Sequence, residues 1–440
     1  MCRPGFRNAA QADSFRSELL AAARKGEAYS AQTGRPASWL RRTRNEPGLS
    51  WYDFARIYAA AKWPYAAPNY RRGMAEAMTD VTEALIGDDW SAPPRDDLRM
   101  ALREWTFSKA IRAGNNPPDD LAPAIRWLEH NTIQMADLVG DQGPVLARRM
   151  LDRISRKQDG TVAAANTANR KRTVLGNAME YACETGVLPF NPLKKVKWTK
   201  PRTLRTIDPR VVINSDQARQ FLAAVASQGA RGQRLAAFFG CLYYGALRPE
   251  EAIDLRRDEN LISLPATGWG EMRLTNAQPR SGTRWPDSGN SRERRALKHR
   301  ADGETRSVPI HPELVTLLRD HLEHFGTGPG GRVFAGPRGG TLAEWSYLEI
   351  FHTARKDALG PAGAGGPLMR RPYDLRHAAV STWLNAGVPA AQVAEWADHG
   401  VDVLLRVYAK CIAGQQGEAK RRIEAAMRAP AGEEHKTGPS

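Results

Sequence analysis

Cysteine is scarce in this chain. Its four cysteines, Cys2, Cys183, Cys241 and Cys411, are scattered over 440 residues without a close pair. That scatter excludes the spacing of a zinc site or a disulfide framework and suits a reducing compartment. Long apolar runs are missing as well. Nowhere do about 18 apolar residues follow one another, so no segment has the composition of a membrane-crossing helix. The opening stretch MCRPGFRNAAQADSFRSELLAAARKG is broken by charge every few residues and lacks an apolar core of signal-peptide length. These absences lead to the expectation of a soluble cytoplasmic protein with no membrane partner. His321 and His324 stand three apart on a predicted helix, but no cysteine or further histidine completes a ligand set. No metal and no cofactor is expected.

Cations, by contrast, are abundant. Lys and Arg number 64 against 48 Asp and Glu, a net charge of +16 that favours a polyanionic partner. The length exceeds what one small core organises and predicts two or three domains.

From Gln11 to Arg24 apolar and alanine positions recur at helical spacing, after which Gly, Ser, Thr and Pro dominate through Ser38. Residues 49–190 read as helices separated by turns such as SAPPRDD and AGNNPPDD. In the last of them Val174, Leu175, Met179 and Ala182 form an apolar stripe, Gly186 is a stop, and Arg170, Lys171 and Arg172 make a basic face suited to DNA backbone. The segment 193–210, LKKVKWTKPRTLRTIDPR, has little periodicity and reads as a basic linker; Lys194, Lys195, Lys197, Lys200 and Arg202 are its candidate DNA-binding cations. Helices resume after Ser215 and Asp216. GEMRLTNAQ alternates like a strand, and ALKHR with TRSVPI flanks Asp302-Gly303, which predicts a tight hairpin. QPRSGTRWPDSGNSRERR reads as an irregular basic insertion.

The chemistry concentrates near the C-terminal end. In RPYDLRHAAVSTWLNAGVPAAQVAEWADHGVDVLLRVYAKC, Arg376, His399 and Tyr408 follow one another at intervals of 23 and 9 residues. A guanidinium, an imidazole and a phenol can converge on one phosphodiester, the phenol as nucleophile and the others holding charge on the nonbridging oxygens. An unperturbed phenol titrates near pH 10, so this nucleophile needs a proton acceptor or strongly cationic surroundings.

This arrangement resembles the catalytic domain of the tyrosine recombinase, or phage integrase, family, and two upstream blocks carry the same resemblance. LAAFFGCLYYGALRPEEAIDLRRDE is similar to that family's first-arginine helix, with Arg248 after a small apolar turn and Glu251 three residues on. ALKHRADGETRSVPIHPELV is similar to its hairpin lysine followed by a Val-Pro strand. The resemblance implies that Arg248 and Arg376 bind the phosphate and that His399 donates to it. It also implies that Tyr408 forms a 3′-phosphotyrosyl ester, that Lys298 protonates the departing 5′ oxygen, and that Glu251 braces an arginine. One position departs from the family pattern. Three residues before Arg376 most members have a histidine credited with taking the nucleophile's proton, whereas this chain has Tyr373: either Tyr373 is a tolerated phosphate donor or the proton leaves by another path. His377, beside the motif, is expected to point elsewhere.

The implied fold is mainly α with a small antiparallel β-sheet: a helical core-binding domain plus a tyrosine-recombinase catalytic domain. The expected divisions are an N-terminal extension over 1–48 that is similar to the end of an arm-binding module, a core-binding domain over 49–192, a linker over 193–210, a catalytic domain over 211–430 and a disordered tail over 431–440. The implied activity is site-specific integration or excision of a mobile element. The rivals are a catalytically silent or regulatory DNA-binding protein of the same fold and a relaxing type IB-like topoisomerase. The implied partners are double-stranded attachment sites, a tetramer of this chain on paired sites, and an accessory DNA-bending or excision protein.

Overall fold

In a computed structural model the described residues are 9–26, 29, 36, 48–86, 92–108, 116–203, 206–298, 300, 301, 303–408, 420, 421, 423, 424 and 427. Most of the 1–48 extension, Asp302 of the predicted hairpin, and the 431–440 tail lie outside them. The chain divides into two compact units: Met1–Thr203 with Ser281–Ser291, and Leu204–Arg280 with Arg292–Ser440. The division falls inside the segment read as a linker. Its first half belongs to the first unit, because Leu193 is buried in that unit's core and Val196 and Trp198 pack against it.

The first unit is helical: α1 (Ala9–Arg24), α2 (Trp51–Lys62), α3 (Pro68–Ala84), α4 (Arg95–Met100), α5 (Ala122–His130), α6 (Gly143–Ile154) and α7 (Ala165–Glu184). Ser50 opens α2 by accepting from the Asp53 amide at 3.1 Å, satisfying a helix-end donor. Trp51 is fully buried, and its indole donates to Thr82 Oγ1 at 2.9 Å. The predicted stripe of α7 is observed, with Val174, Leu175, Met179 and Ala182 buried. Gly186, at φ 74°, follows the helix in the left-handed region that its lack of a Cβ allows. Ser281–Ser291, the middle of the segment read as an irregular basic insertion, groups with this unit. Trp285 sits in its core; Arg71 lies over Trp63, 4.3 Å from the ring centroid, and donates to the Trp285 carbonyl at 2.7 Å and to Asp287 at 2.9 Å.

The second unit contains α8 (Ser215–Ala226), α9 (Gly229–Tyr244), α10 (Pro249–Asp254), β1 (Leu261–Ser263), β2 (Gly270–Leu274), β3 (Asn276–Ala277), β4 (Arg295–Ala296) and β5 (Arg306–Ile310). Then follow α11 (Pro312–Phe325), α12 (Glu344–Gly365), α13 (Tyr373–Asn385), α14 (Ala390–Ala397) and α15 (Val401–Tyr408). Aromatic residues of α8, α9 and α12 fill its core, Phe221 meeting Phe239 at 5.5 Å and Phe351 at 5.4 Å between ring centroids. The architecture is mainly α with small antiparallel sheets.

The predicted hairpin is not observed among the described residues. β5 pairs antiparallel with β2, Met272 opposite Val308, in a sheet ordered β1-β2-β5, whereas β4 pairs with β3. Packing explains the difference. Pairing β5 with β2 places Met272, Leu274, Val308 and Ile310 on one buried face; the Lys- and Arg-bearing ALKHR offers no such alternation. Lys298 consequently lies in a turn after β4 rather than on a strand.

Candidate active site

The second unit brings Arg248, Glu251, Arg376, His399 and Tyr408 together. Arg248 is the residue before α10, in extended backbone that Pro249 requires of its predecessor. Glu251, three residues into the helix, accepts the Arg248 amide at 2.8 Å and its Nη1 at 2.6 Å. Thus the sequence Arg-Pro-Glu-Glu ties guanidinium and carboxylate together locally. Arg248 reaches further to Asp398, donating Nη1 to Oδ2 at 2.7 Å and Nη2 to the carbonyl at 3.0 Å.

Asp398 ends α14 in the left-handed region, φ 53° and ψ 57°, a conformation that Asp tolerates better than most residues. The turn it makes presents His399. Arg376, on the first turn of α13, is 0% exposed. It donates to the carbonyls of Ala246 and Ala397 and to His399 Nε2, the last at 3.2 Å. Ala246 also has positive φ, 50°. Two of the three described non-glycine residues with positive φ therefore supply the arginines' acceptors, a concentration of backbone strain at one place.

Two further arginines complete the cluster. Arg306, fully buried at the start of β5, grips Glu251 with both terminal nitrogens at 3.1 and 2.8 Å. Arg300 Nε lies 3.1 Å from Asp398 Oδ1. Arg300 also pairs with exposed Glu304 at 3.3 Å, so four guanidiniums face three carboxylates and the cluster keeps an excess of one positive charge. Burial alone would raise the Glu251 carboxyl, but Arg306, Arg248 and Arg376 hold it well below the usual carboxylate range. Burial, then Arg376 and Arg248, push His399 down to about 3. His399 is accordingly neutral, and because its Nε2 accepts from Arg376 its proton resides on Nδ1.

Tyr408 closes α15 and is 0% exposed, packed with Ala246, Ala379, Val380 and Leu404. Its ring lies 6.1 Å from that of His399. Its hydroxyl is 3.0 Å from Nδ1 of His377, so His377 points into the site, contrary to expectation. The cause is helical rotation: one position beyond Arg376 on the first turn of α13 faces the end of α15. Tyr373, on the same turn, lies edge-on to His377 with centroids 5.0 Å apart. Lys298 is exposed.

Arg306 and Asp398 were not picked out from the sequence, and His377 was expected to point elsewhere. Arg306 had a legible signal, since alternation in Arg-Ser-Val-Pro-Ile puts it on the inward face with Val308 and Ile310.

The candidate DNA-binding cations differ in availability. Lys171 is only 13% exposed and pairs with Asp80, inside a cluster that also holds Glu83, Arg99 and Arg153. Arg170 is 59% exposed, 3.6 Å from Glu76; Arg172 lies 5.9 Å from the Trp198 centroid. Lys194 pairs with Glu180 at 2.9 Å and Lys195 lies over Phe190 at 3.7 Å. Lys197, Lys200 and Arg202 are exposed. His321, by contrast, is engaged with the Val333 carbonyl at 2.8 Å. No helix among the described residues is long and apolar enough to cross a membrane.

Solved structures to which this chain is similar include integrases and site-specific recombinases. One is the Tn1549 transposon integrase in complex with circular intermediate DNA, 16% identical, with a TM-score of 0.49 over 75% of this chain and 99% of that one. A second is the XerH site-specific recombinase bound to a palindromic difH substrate, 13% identical, TM-score 0.45, covering 81% of this chain and 96% of the other. A third is the lambda integrase bound to DNA, 14% identical, TM-score 0.38, covering 67% and 90%. No family model and no curated protein matches the chain.

Proposed function

We propose that this protein is a site-specific tyrosine recombinase, an integrase that cuts and rejoins DNA through a 3′-phosphotyrosyl intermediate. The observation that carries the reading is the convergence of Arg248, Arg376, His399 and Tyr408, from four separate elements, on one buried site with excess positive charge. A pentacoordinate phosphorus carries its charge on nonbridging oxygens, and guanidiniums already held in place stabilise it without reorganising. Arg248 and Arg376 take that role, with Nδ1–H of His399 as a further donor. Tyr408 attacks and Lys298 protonates the leaving 5′ oxygen. Glu251 and Asp398 position the arginines. Since Tyr408 is fully buried, attack requires the residues covering its hydroxyl to open while the phenol stays beside His377.

In this reading residues 49–192 are the core-binding domain, 211–430 the catalytic domain, and the basic segment 193–210 contributes backbone contacts. The DNA partners are attachment duplexes of a mobile element, on which this chain assembles as a tetramer. Burial of Tyr408 and the presence of Tyr373 favour one rival, a catalytically silent DNA-binding protein of the same fold.

A library of nicked duplexes with randomised sequence separates the two. Wild type is expected to yield a covalent adduct that Tyr408→Phe abolishes. An adduct surviving that change removes Tyr408 as nucleophile, and no adduct with any library member favours the silent reading. In the same assay, sulfur in place of the bridging 5′ oxygen is expected to restore Lys298→Ala but not Arg376→Ala, because the thiolate leaves without a proton. Absence of rescue assigns the acid elsewhere.

A further inference from the structure

The proton of the nucleophile has no destination in the scheme above. Tyr373 stands where the resemblance would bring a base, and a neutral phenol accepts a proton poorly near neutral pH. His399 already commits Nε2 to Arg376. We propose that His377 is the base that takes the proton from Tyr408, an inference that rests on the strand-transfer reading of this site.

The geometry is direct. His377 Nδ1 lies 3.0 Å from the Tyr408 hydroxyl, within the reach a general base needs. Acting as the base requires the tautomer in which the hydroxyl donates to Nδ1 and the imidazole proton sits on Nε2. The charged and titratable groups around the ring are Arg376 and Tyr373 on its own helix, Arg371 just before that helix, His399 from the turn after α14, and Tyr408 from α15. Burial, then Arg376 and Arg371, bring His377 down to about 4, so its lone pair is free at neutral pH. A phosphodiester arriving among these cations adds negative charge and makes the imidazole more basic when the proton has to move.

The step balances. As Tyr408 Oη bonds to phosphorus, its proton passes to His377 Nδ1; the P–O5′ bond breaks, and the 5′ oxygen leaves with the electron pair and a proton from Lys298. In rejoining, the 5′ hydroxyl attacks and returns its proton to Lys298. The bond from phosphorus to Oη breaks, and the imidazolium of His377 gives its proton back to Tyr408.

The duplexes enriched by the wild-type adduct in the nicked library serve as substrate. His377→Asn keeps an acceptor near the position of Nδ1 but cannot hold a proton, and His377→Ala opens room for added imidazole. Both are expected to bind the enriched duplex as wild type does and to form adduct about 100-fold more slowly or worse, the usual weight of a general base. Imidazoles are expected to restore His377→Ala, faster with increasing basicity. His377→Asn within about threefold of wild type, or no rescue of His377→Ala by any imidazole, would overturn the proposal while leaving strand transfer intact. If wild type itself forms no adduct, the strand-transfer reading falls, and this inference falls with it.

Discussion

Arg306 grips both carboxylate oxygens of Glu251, at 3.1 and 2.8 Å, from a strand that begins 55 residues further along the chain. Both side chains are fully buried. This fork fastens the sheet to the helix that carries Arg248, and it makes Glu251 the hub of the cluster.

Removing the hub takes both hydrogen-bonded carboxylate oxygens from buried Arg306 and leaves Asp398 as the counter-charge of Arg248. Glu251→Ala is expected to lower unfolding stability by about 3 to 5 kcal/mol, the range for breaking a buried ion pair from one side. Urea denaturation measures it directly. A loss below about 1 kcal/mol, the size of an exposed pair, would show that Arg306 finds another acceptor and that Glu251 is not the hub.

Acid should loosen the second unit before its carboxylates titrate. His377 and His399 are held down to about 4 and about 3, by burial first and then chiefly by Arg376. In the unfolded chain a histidine titrates near 6.5. Between about 6.5 and 4 the unfolded state therefore binds protons that the native state refuses, so stability falls as pH falls and is complete only above that window. Urea midpoints at pH 7, 6 and 5 are expected to decline, and the decline should be shallower in His377→Gln. An equal slope in that variant removes His377 from the effect.

Lys171 and the exposed cations near the unit boundary should part company under salt. Lys171→Ala is expected to destabilise the first unit, because it strips a partner from buried Asp80. Lys200→Ala and Arg202→Ala should leave stability unchanged and reduce the salt slope of DNA binding by about 0.9 for each phosphate no longer neutralised. An unaltered slope in both would place the DNA elsewhere.

Much of the fold was legible because helical periodicity and local caps act over a few residues. The stripe of α7 and its glycine stop are of this kind. The hairpin was misread because strand pairing is a contest between distant segments. Apolar Met272 and Leu274 match Val308 and Ile310 better than the nearer cationic strand does. Lys171 was grouped with a DNA-facing surface because a run of three cations does not reveal which one turns inward to Asp80.

At the site, residue identity and short spacing sufficed for the chemical types and their order: two guanidiniums, an imidazole and a phenol, with a carboxylate three residues after the first arginine. Only the folded arrangement brought Arg306 and Asp398 to join them, buried Tyr408, and set its hydroxyl against His377. Those facts depend on how α10, α13, α15 and β5 pack, and packing is settled by burying apolar faces separated by tens to hundreds of residues, which no local pattern records.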